Sequence, residues 1–145
     1  MEKLNDSFFY TLEKAVKFYR QYVQSQIKKK GFDITIDQWL VLNTIIDFPE
    51  ITQTEIAERV FKDKASITRI IELLVQNGYI SRNEHPYNRR MILLSITEHG
   101  IHTVEQLKDF IQTFREDALK EISEAQLQQT QHIMKTITEN CKSSA

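Results

Sequence analysis

Between positions 64 and 72, one run sets small hydroxyl groups, a methyl and a guanidinium on one side of a helical repeat. The residues are Lys64, Ala65, Ser66, Thr68, Arg69 and Glu72. Such side chains can read base edges in a major groove. Arginine chelates guanine, serine and threonine take either hydrogen-bond polarity, and alanine meets a thymine methyl. A merely solvated helix face is the plain alternative, and on this run alone the two readings stand level. A second run, His85-Pro86-Tyr87-Asn88-Arg89-Arg90, ends in paired arginines between two short apolar segments. Arginine is favoured where a narrow minor groove focuses negative potential. An exposed arginine pair is usually idle by itself; the two runs in this order are what point to duplex DNA.

These residues need elements to hold them. Apolar positions Leu4, Phe8, Leu12, Val16, Tyr19, Val23 and Ile27 predict a helix over 4–30, ended by Lys28-Lys29-Lys30-Gly31. The lysine run there is read as a solvated helix end. Thr35 with Gln38 and Thr52 with Glu55 match the capping box, opening helices at about 36–47 and 53–60. Asp63 caps a helix over about 64–77, stopped by Asn77-Gly78, with Ile67, Ile70, Ile71, Leu74 and Val75 facing inward. Strands follow at Tyr79–Glu84 and Met91–Ile96, the second alternating Ile92, Leu94 and Ile96 on one face. A long helix starts after Thr97. Ser123 with Gln126 opens the last one through Leu127, Ile133 and Ile137. The fold class is therefore mainly α with a small β-hairpin: a helix-turn-helix at about 53–77 and a hairpin at about 79–96. The terminal helices carry more apolar surface than so small a lobe can cover, which predicts a homodimer.

Composition is compatible with this. The 145 residues include only 3 Gly and 2 Pro, which argues against an all-β fold. The formal net charge is −1, but its distribution is uneven. From Arg59 to Arg90 the cations Arg59, Lys62, Lys64, Arg69, Arg82, Arg89 and Arg90 face only Asp63, Glu72 and Glu84, whereas the stretch from Glu98 onward is acidic. No apolar run is long enough for a bilayer span, so no membrane partner is expected. Met1-Glu2-Lys3-Leu4-Asn5-Asp6 lacks a signal-peptide layout, and the single cysteine, Cys141, fits a cytoplasmic location.

The sequence resembles the MarR/SlyA-type (multiple antibiotic resistance regulator) family. The resemblance lies in Thr54-Glu55-Ile56-Ala57-Glu58, Asp63-Lys64-Ala65-Ser66-Ile67-Thr68-Arg69 and Leu74-Val75-Gln76-Asn77-Gly78-Tyr79-Ile80. The run Asn88-Arg89-Arg90 and the closing Leu94-Ser95-Ile96-Thr97-Glu98-His99-Gly100 complete it. It implies one domain over 1–145, with a winged-helix lobe at 32–100 and dimerisation helices at 1–31 and 101–145. It also implies a regulator, most simply a repressor, that binds a pseudo-palindromic operator in double-stranded DNA and answers to a small aromatic ligand or an oxidant. The expected DNA-binding residues are Thr52, Thr54, Lys62, Lys64, Ala65, Ser66, Thr68, Arg69, Asn88, Arg89 and Arg90. The family usually has Asp where Asn88 stands; Asn accepts a hydrogen bond without the charge, which predicts a less ordered wing.

Other signals carry less. Tyr10, Tyr19, Tyr22 and Trp39 could line a ligand pocket, though core packing accounts for most such aromatics. His99 and His102, three apart, are read as a solvated helix face and not as a metal site. Cys141 is far from the first helix, where the family's peroxide sensors carry their reactive cysteine. With no phosphate loop, nucleophile elbow or paired-carboxylate motif, neither catalysis nor a cofactor is expected. The rival function is a winged helix that contacts proteins instead of DNA; a small-molecule sequestering protein is a more distant one.

Overall fold

Ser7 decides where the first helix begins. Its Oγ accepts the Tyr10 N–H at 3.4 Å, and α1 spans Phe8–Lys29. Leu4–Asp6 form only a 3-10 turn before it. The helix expected over 4–30 therefore starts later, because apolar spacing is blind to a serine that adopts extended dihedrals and caps the residues after it. This computed structural model describes residues 3–142; positions 1–2 and 143–145, the outermost parts of the expected dimerisation segments, lie outside them.

Local capping sets the next three helices. In α2, Ile36–Asp47, Thr35 and Gln38 exchange both bonds of the capping box at 3.0 Å, which also satisfies the buried Gln38 side chain. For α3, Gln53–Arg59, Thr52 Oγ1 accepts the Glu55 N–H at 3.2 Å, but the exposed Glu55 carboxylate does not complete the box. Asp63 caps α4, Lys64–Gln76.

Both α3 and α4 close in the same way. The N–H of a residue just past the end reaches back to a carbonyl five positions earlier, Lys62 to Ala57 at 2.9 Å and Tyr79 to Leu74 at 2.9 Å. The residue before that donor must adopt a left-handed conformation, which glycine takes freely. At the end of α4 that residue is Gly78, φ +78°; at the end of α3 it is Phe61, φ +60°.

Strands β1, Ile80–Glu84, and β2, Ile92–Ile96, pair antiparallel from Ile80–Ile96 out to Glu84–Ile92. Each starts one residue later than the alternation suggested, since Tyr79 still belongs to the turn that closes α4 and the Met91 N–H turns inward to Asn88 O. Ile92 shares a face with the buried Leu94 but is itself exposed, because the hairpin runs beyond the lobe at that end. Thr97 then locks three elements together. Its N–H donates to Tyr79 O at 3.0 Å, its hydroxyl to Gly78 O at 2.6 Å, and its oxygen accepts the Gly100 N–H at 3.0 Å at the start of α5, Glu98–Ala118.

One apolar core unites these pieces. Val23 and Ile27 of α1, Leu42 and Ile45 of α2, Ile56 of α3, Ile67, Ile71 and Leu74 of α4, Leu94 of β2, and Leu107 and Ile111 of α5 are all buried in it. Each such side chain contributes roughly 1.5–3 kcal/mol, so packing more than any single hydrogen bond holds α3 and α4 in place. By contrast, Leu4, Phe8, Phe9, Val16 and Phe18 at the front of the chain are exposed.

The chain divides into two units, one running to Phe114 and the other from Arg115, with the boundary inside α5. In the second, Ser123 and Gln126 form both bonds of their capping box and open α6, Glu124–Lys142. No residue of α6 is buried, and Ile122, Ile133 and Met134 are exposed. Among the described residues, no helix is long and apolar enough to cross a membrane.

Candidate nucleic-acid interface

The outward face of α4 begins at its cap. Asp63 Oδ1 accepts the Ser66 N–H at 2.8 Å and Oδ2 accepts the Ser66 hydroxyl at 2.9 Å. These two bonds, the backbone one first, hold the Asp63 carboxyl below its ordinary pKa. The negative cap also suits the positive end of the helix. Lys64, Ala65, Thr68 and Arg69 are exposed beyond it, and Ser66 is half-buried. The Thr68 hydroxyl donates to Lys64 O at 2.9 Å. With their protons committed, Ser66 and Thr68 offer acceptor lone pairs and, for Thr68, a methyl. Such a face matches an exocyclic amino group or a thymine methyl better than a bare carbonyl.

Thr52 spends its hydroxyl oxygen on the cap of α3 and is half-buried; Thr54, further into the helix, is exposed. Lys62 is directed elsewhere. Its Nζ lies 3.4 Å from Asp37 Oδ2, and Asp37 Oδ1 is held by Arg20 of α1. Charge alone could not separate this lysine from Lys64.

At the wing tip, Asn88 accepts two backbone hydrogen bonds. Its Oδ1 accepts the Arg90 N–H at 3.1 Å, and its carbonyl accepts the Met91 N–H at 3.0 Å. His85 Nδ1 accepts the Tyr87 N–H at 3.2 Å, with the two rings edge-on. Arg89 and Arg90 are exposed, and Tyr87 is 94% exposed. An aromatic ring that touches so little protein has no packing role. Sequence reasoning placed Tyr87 in the polar loop but gave it no role of its own.

The aromatic quartet is not brought together. Tyr19, Tyr22 and Trp39 are partly buried against the core, but Tyr10 lies about 13 Å further along α1 from Tyr19. The Trp39 indole N–H is buried without an acceptor, the one such side-chain atom among the described residues. His99 stacks on Tyr79 with ring centres 4.7 Å apart, which is a packing role.

Two helices meeting at a tight turn, the second capped and facing outward beside a hairpin, place the chain in the winged helix-turn-helix class. Residues 32–91 match the model of the MarR family. The chain is similar to the HTH-type transcriptional repressor IacR of Pseudomonas putida, 24% identical over 132 residues that cover 91% of this chain and 78% of that protein. Its fold matches Bordetella bronchiseptica BpsR, described with regulation of its DNA binding by 6-hydroxynicotinic acid, with a TM-score of 0.85, 17% identity and coverage of 95% and 97%. It also matches a mutant MarR from E. coli complexed with operator DNA, with a TM-score of 0.84, 20% identity and coverage of 94% and 99%. Residues 32–91 are thus similar to the MarR family, and the chain has the fold of the MarR and SlyA structures.

Proposed function

We propose that this chain is a ligand-responsive transcription regulator, a repressor in its simplest form, that binds a pseudo-palindromic operator as a homodimer. The observation that carries the reading is the face of α4. It is rigidly capped at Asp63, backed by a buried row of Ile67, Ile71 and Leu74, and turned to solvent with Lys64, Ala65, Ser66, Thr68 and Arg69. Thr52 and Thr54 lie at the start of α3, where hydroxyls meet phosphate; at the wing tip Arg90 reaches the adjacent minor groove and Arg89 sits nearer phosphate. The repressor IacR and the operator complex of MarR support this.

The dimer follows from the apolar side chains left exposed on α1 and α6, which a second copy covers. On this reading 1–145 is one functional domain, its lobe at 32–100 carried by the terminal helices, and it acts in the cytoplasm by binding alone, without catalysis. The effector is a small aromatic molecule with a hydrogen-bond acceptor. The unpartnered Trp39 N–H, at the core's edge with Tyr19 and Tyr22, gives such an acceptor something to gain. Regulation of BpsR by 6-hydroxynicotinic acid supports a ligand of this kind.

Selection of bound sequences from random duplexes, followed by titration across salt, tests the reading. We expect two related half-sites about one helical turn apart and a log–log salt slope near −0.9 per phosphate neutralised. Absence of binding to any duplex at low salt would leave the protein-partner reading in its place.

A further inference from the structure

Arg20, Asp37 and Lys62 come from three different elements and share one carboxylate. Arg20 is on α1, Asp37 in the first turn of α2, and Lys62 in the turn between α3 and α4. The Lys62 and Asp37 side chains are only 35% and 30% exposed, so water competes for them less than for a surface pair. Lys62 is also fixed through its backbone, since its N–H closes α3 onto Ala57 O. The residue before it, Phe61, is the one bulky side chain in this turn with a positive φ, and its ring is 92% exposed. Nothing in the ring's packing compensates the left-handed backbone. Such a conformation persists only where its surroundings hold it. The residue immediately after Lys62 is Asp63, the cap of the recognition helix.

We infer that Asp37 is a positioning residue for DNA recognition: it clamps Lys62, and with it the strained α3–α4 turn, against α1. The inference rests on the operator-binding reading for its consequence, although the clamp itself does not. Two effects follow from the one contact. The start of α4 is fixed relative to the helix that carries Arg20. And a lysine just ahead of the DNA-facing helix is kept from phosphate, which lowers the affinity for DNA of any sequence and so sharpens discrimination.

The test uses the full chain, with its selected operator and a scrambled duplex, each titrated across salt. Lys62→Met should leave the salt slope unchanged and weaken operator binding more than scrambled binding. Asp37→Asn frees Lys62 to find phosphate, so the slope should steepen by about 0.9 and the operator-to-scrambled ratio should fall. The double variant should return the slope to the wild-type value. A slope that falls by about one in Lys62→Met would make Lys62 a phosphate contact and overturn the inference.

A second readout needs no DNA. Amide exchange over residues 58–63 should quicken several-fold in Asp37→Asn, and adding Phe61→Gly, which relieves the backbone, should restore it. Unchanged exchange in Asp37→Asn would sink the clamp even in a protein that binds its operator. A wild-type chain that binds no duplex would instead sink the operator reading, and the recognition role of Asp37 with it, while the exchange result still decides the clamp.

Discussion

Asn88 Oδ1 accepts the backbone N–H of Arg90 at 3.1 Å, so the contact at the wing tip joins a side-chain oxygen to the main chain and is not a side-chain ion pair. This separates two jobs that one residue could have shared. Arg90 is left with its guanidinium free, and Asn88 needs only an acceptor. Asn88→Ala should loosen the tip and weaken operator binding, whereas Asn88→Asp keeps the acceptor and adds a charge that can draw Arg90 inward. We expect modest tightening for Asn88→Asp, because an ordered arginine loses less entropy on binding. Arg90→Ala should cost most on operators with A·T-rich flanks, where the groove is narrow. Titrations on A·T-rich and G·C-rich flanks check both, and an Arg90→Ala loss indifferent to the flanks would end the minor-groove assignment.

The α4 helix should depend on its cap in a pH-sensitive way. The Ser66 N–H and hydroxyl hold Asp63 below its ordinary value of 3.8, so the native state favours the carboxylate. The resulting stability is present above 3.8 and is lost as pH falls through the lowered value. Asp63→Asn keeps a capping oxygen and should flatten that acid dependence. Asp63→Ala removes the cap, and should lower the melting temperature and reduce operator binding more than scrambled binding. Circular dichroism melts between about pH 2 and 5, beside duplex titrations at neutral pH, distinguish the two variants.

What the sequence made legible was whatever is local. Thr35, Asp63, Ser123 and Gly78 act on residues within a turn of themselves, and each appears where its type suggested. Phe61 was not legible, because the rule for ending a helix asks for glycine at that position and the chain supplies an aromatic residue. Nor was Lys62. Its partner Asp37 lies on another helix, and a count of charges in a basic segment treats every lysine as free. The wing's alternation put Ile92 on one face with Leu94 but could not say that only Leu94 is buried, since burial depends on how far the lobe extends beneath a strand.

Gly100 should tolerate no side chain. A Cβ there would collide with the Tyr79 carbonyl oxygen and lie 2.8 Å from Ile96 Cγ1. The carbonyl cannot yield cheaply, because Thr97 already binds it through its backbone N–H. Gly100→Ala should therefore cost on the order of 1–3 kcal/mol by forcing α5 off the base of the wing. Urea unfolding measures this directly, and a wild-type midpoint would show that α5 shifts freely.

Alkaline stability should trace to the same junction. Burial, and secondarily the Asp33 carboxylate, push the Tyr79 phenol above its ordinary value of 10.0. The unfolded chain then loses its proton first, so stability falls as pH rises past 10.0 toward the raised value. Tyr79→Phe keeps the ring stacked on His99 and should remove this part of the alkaline loss. Denaturant midpoints of both proteins from about pH 9 to 11 test it; parallel decline would assign the loss to other groups.

Assembly makes the broadest demand on the terminal helices. Phe8 and Phe9 on α1, and Ile133 and Met134 on α6, are apolar side chains that this chain leaves in water. Exposure on that scale is tolerated when a symmetric partner covers it, and a two-fold pair would present two recognition helices to the two halves of a palindrome. The protein should sediment as a dimer at micromolar concentration. Deleting residues 125–145 should abolish the soluble dimer, and the milder Ile133→Glu should shift the equilibrium toward monomer without altering the melting of the 32–100 lobe. The consequence for DNA is separable from the effect on folding: a monomeric Ile133→Glu protein should still bind an isolated half-site weakly but lose the advantage of the second half-site. A chain that stays dimeric after the deletion would show that α6 lies outside the interface and that α1 alone must supply it.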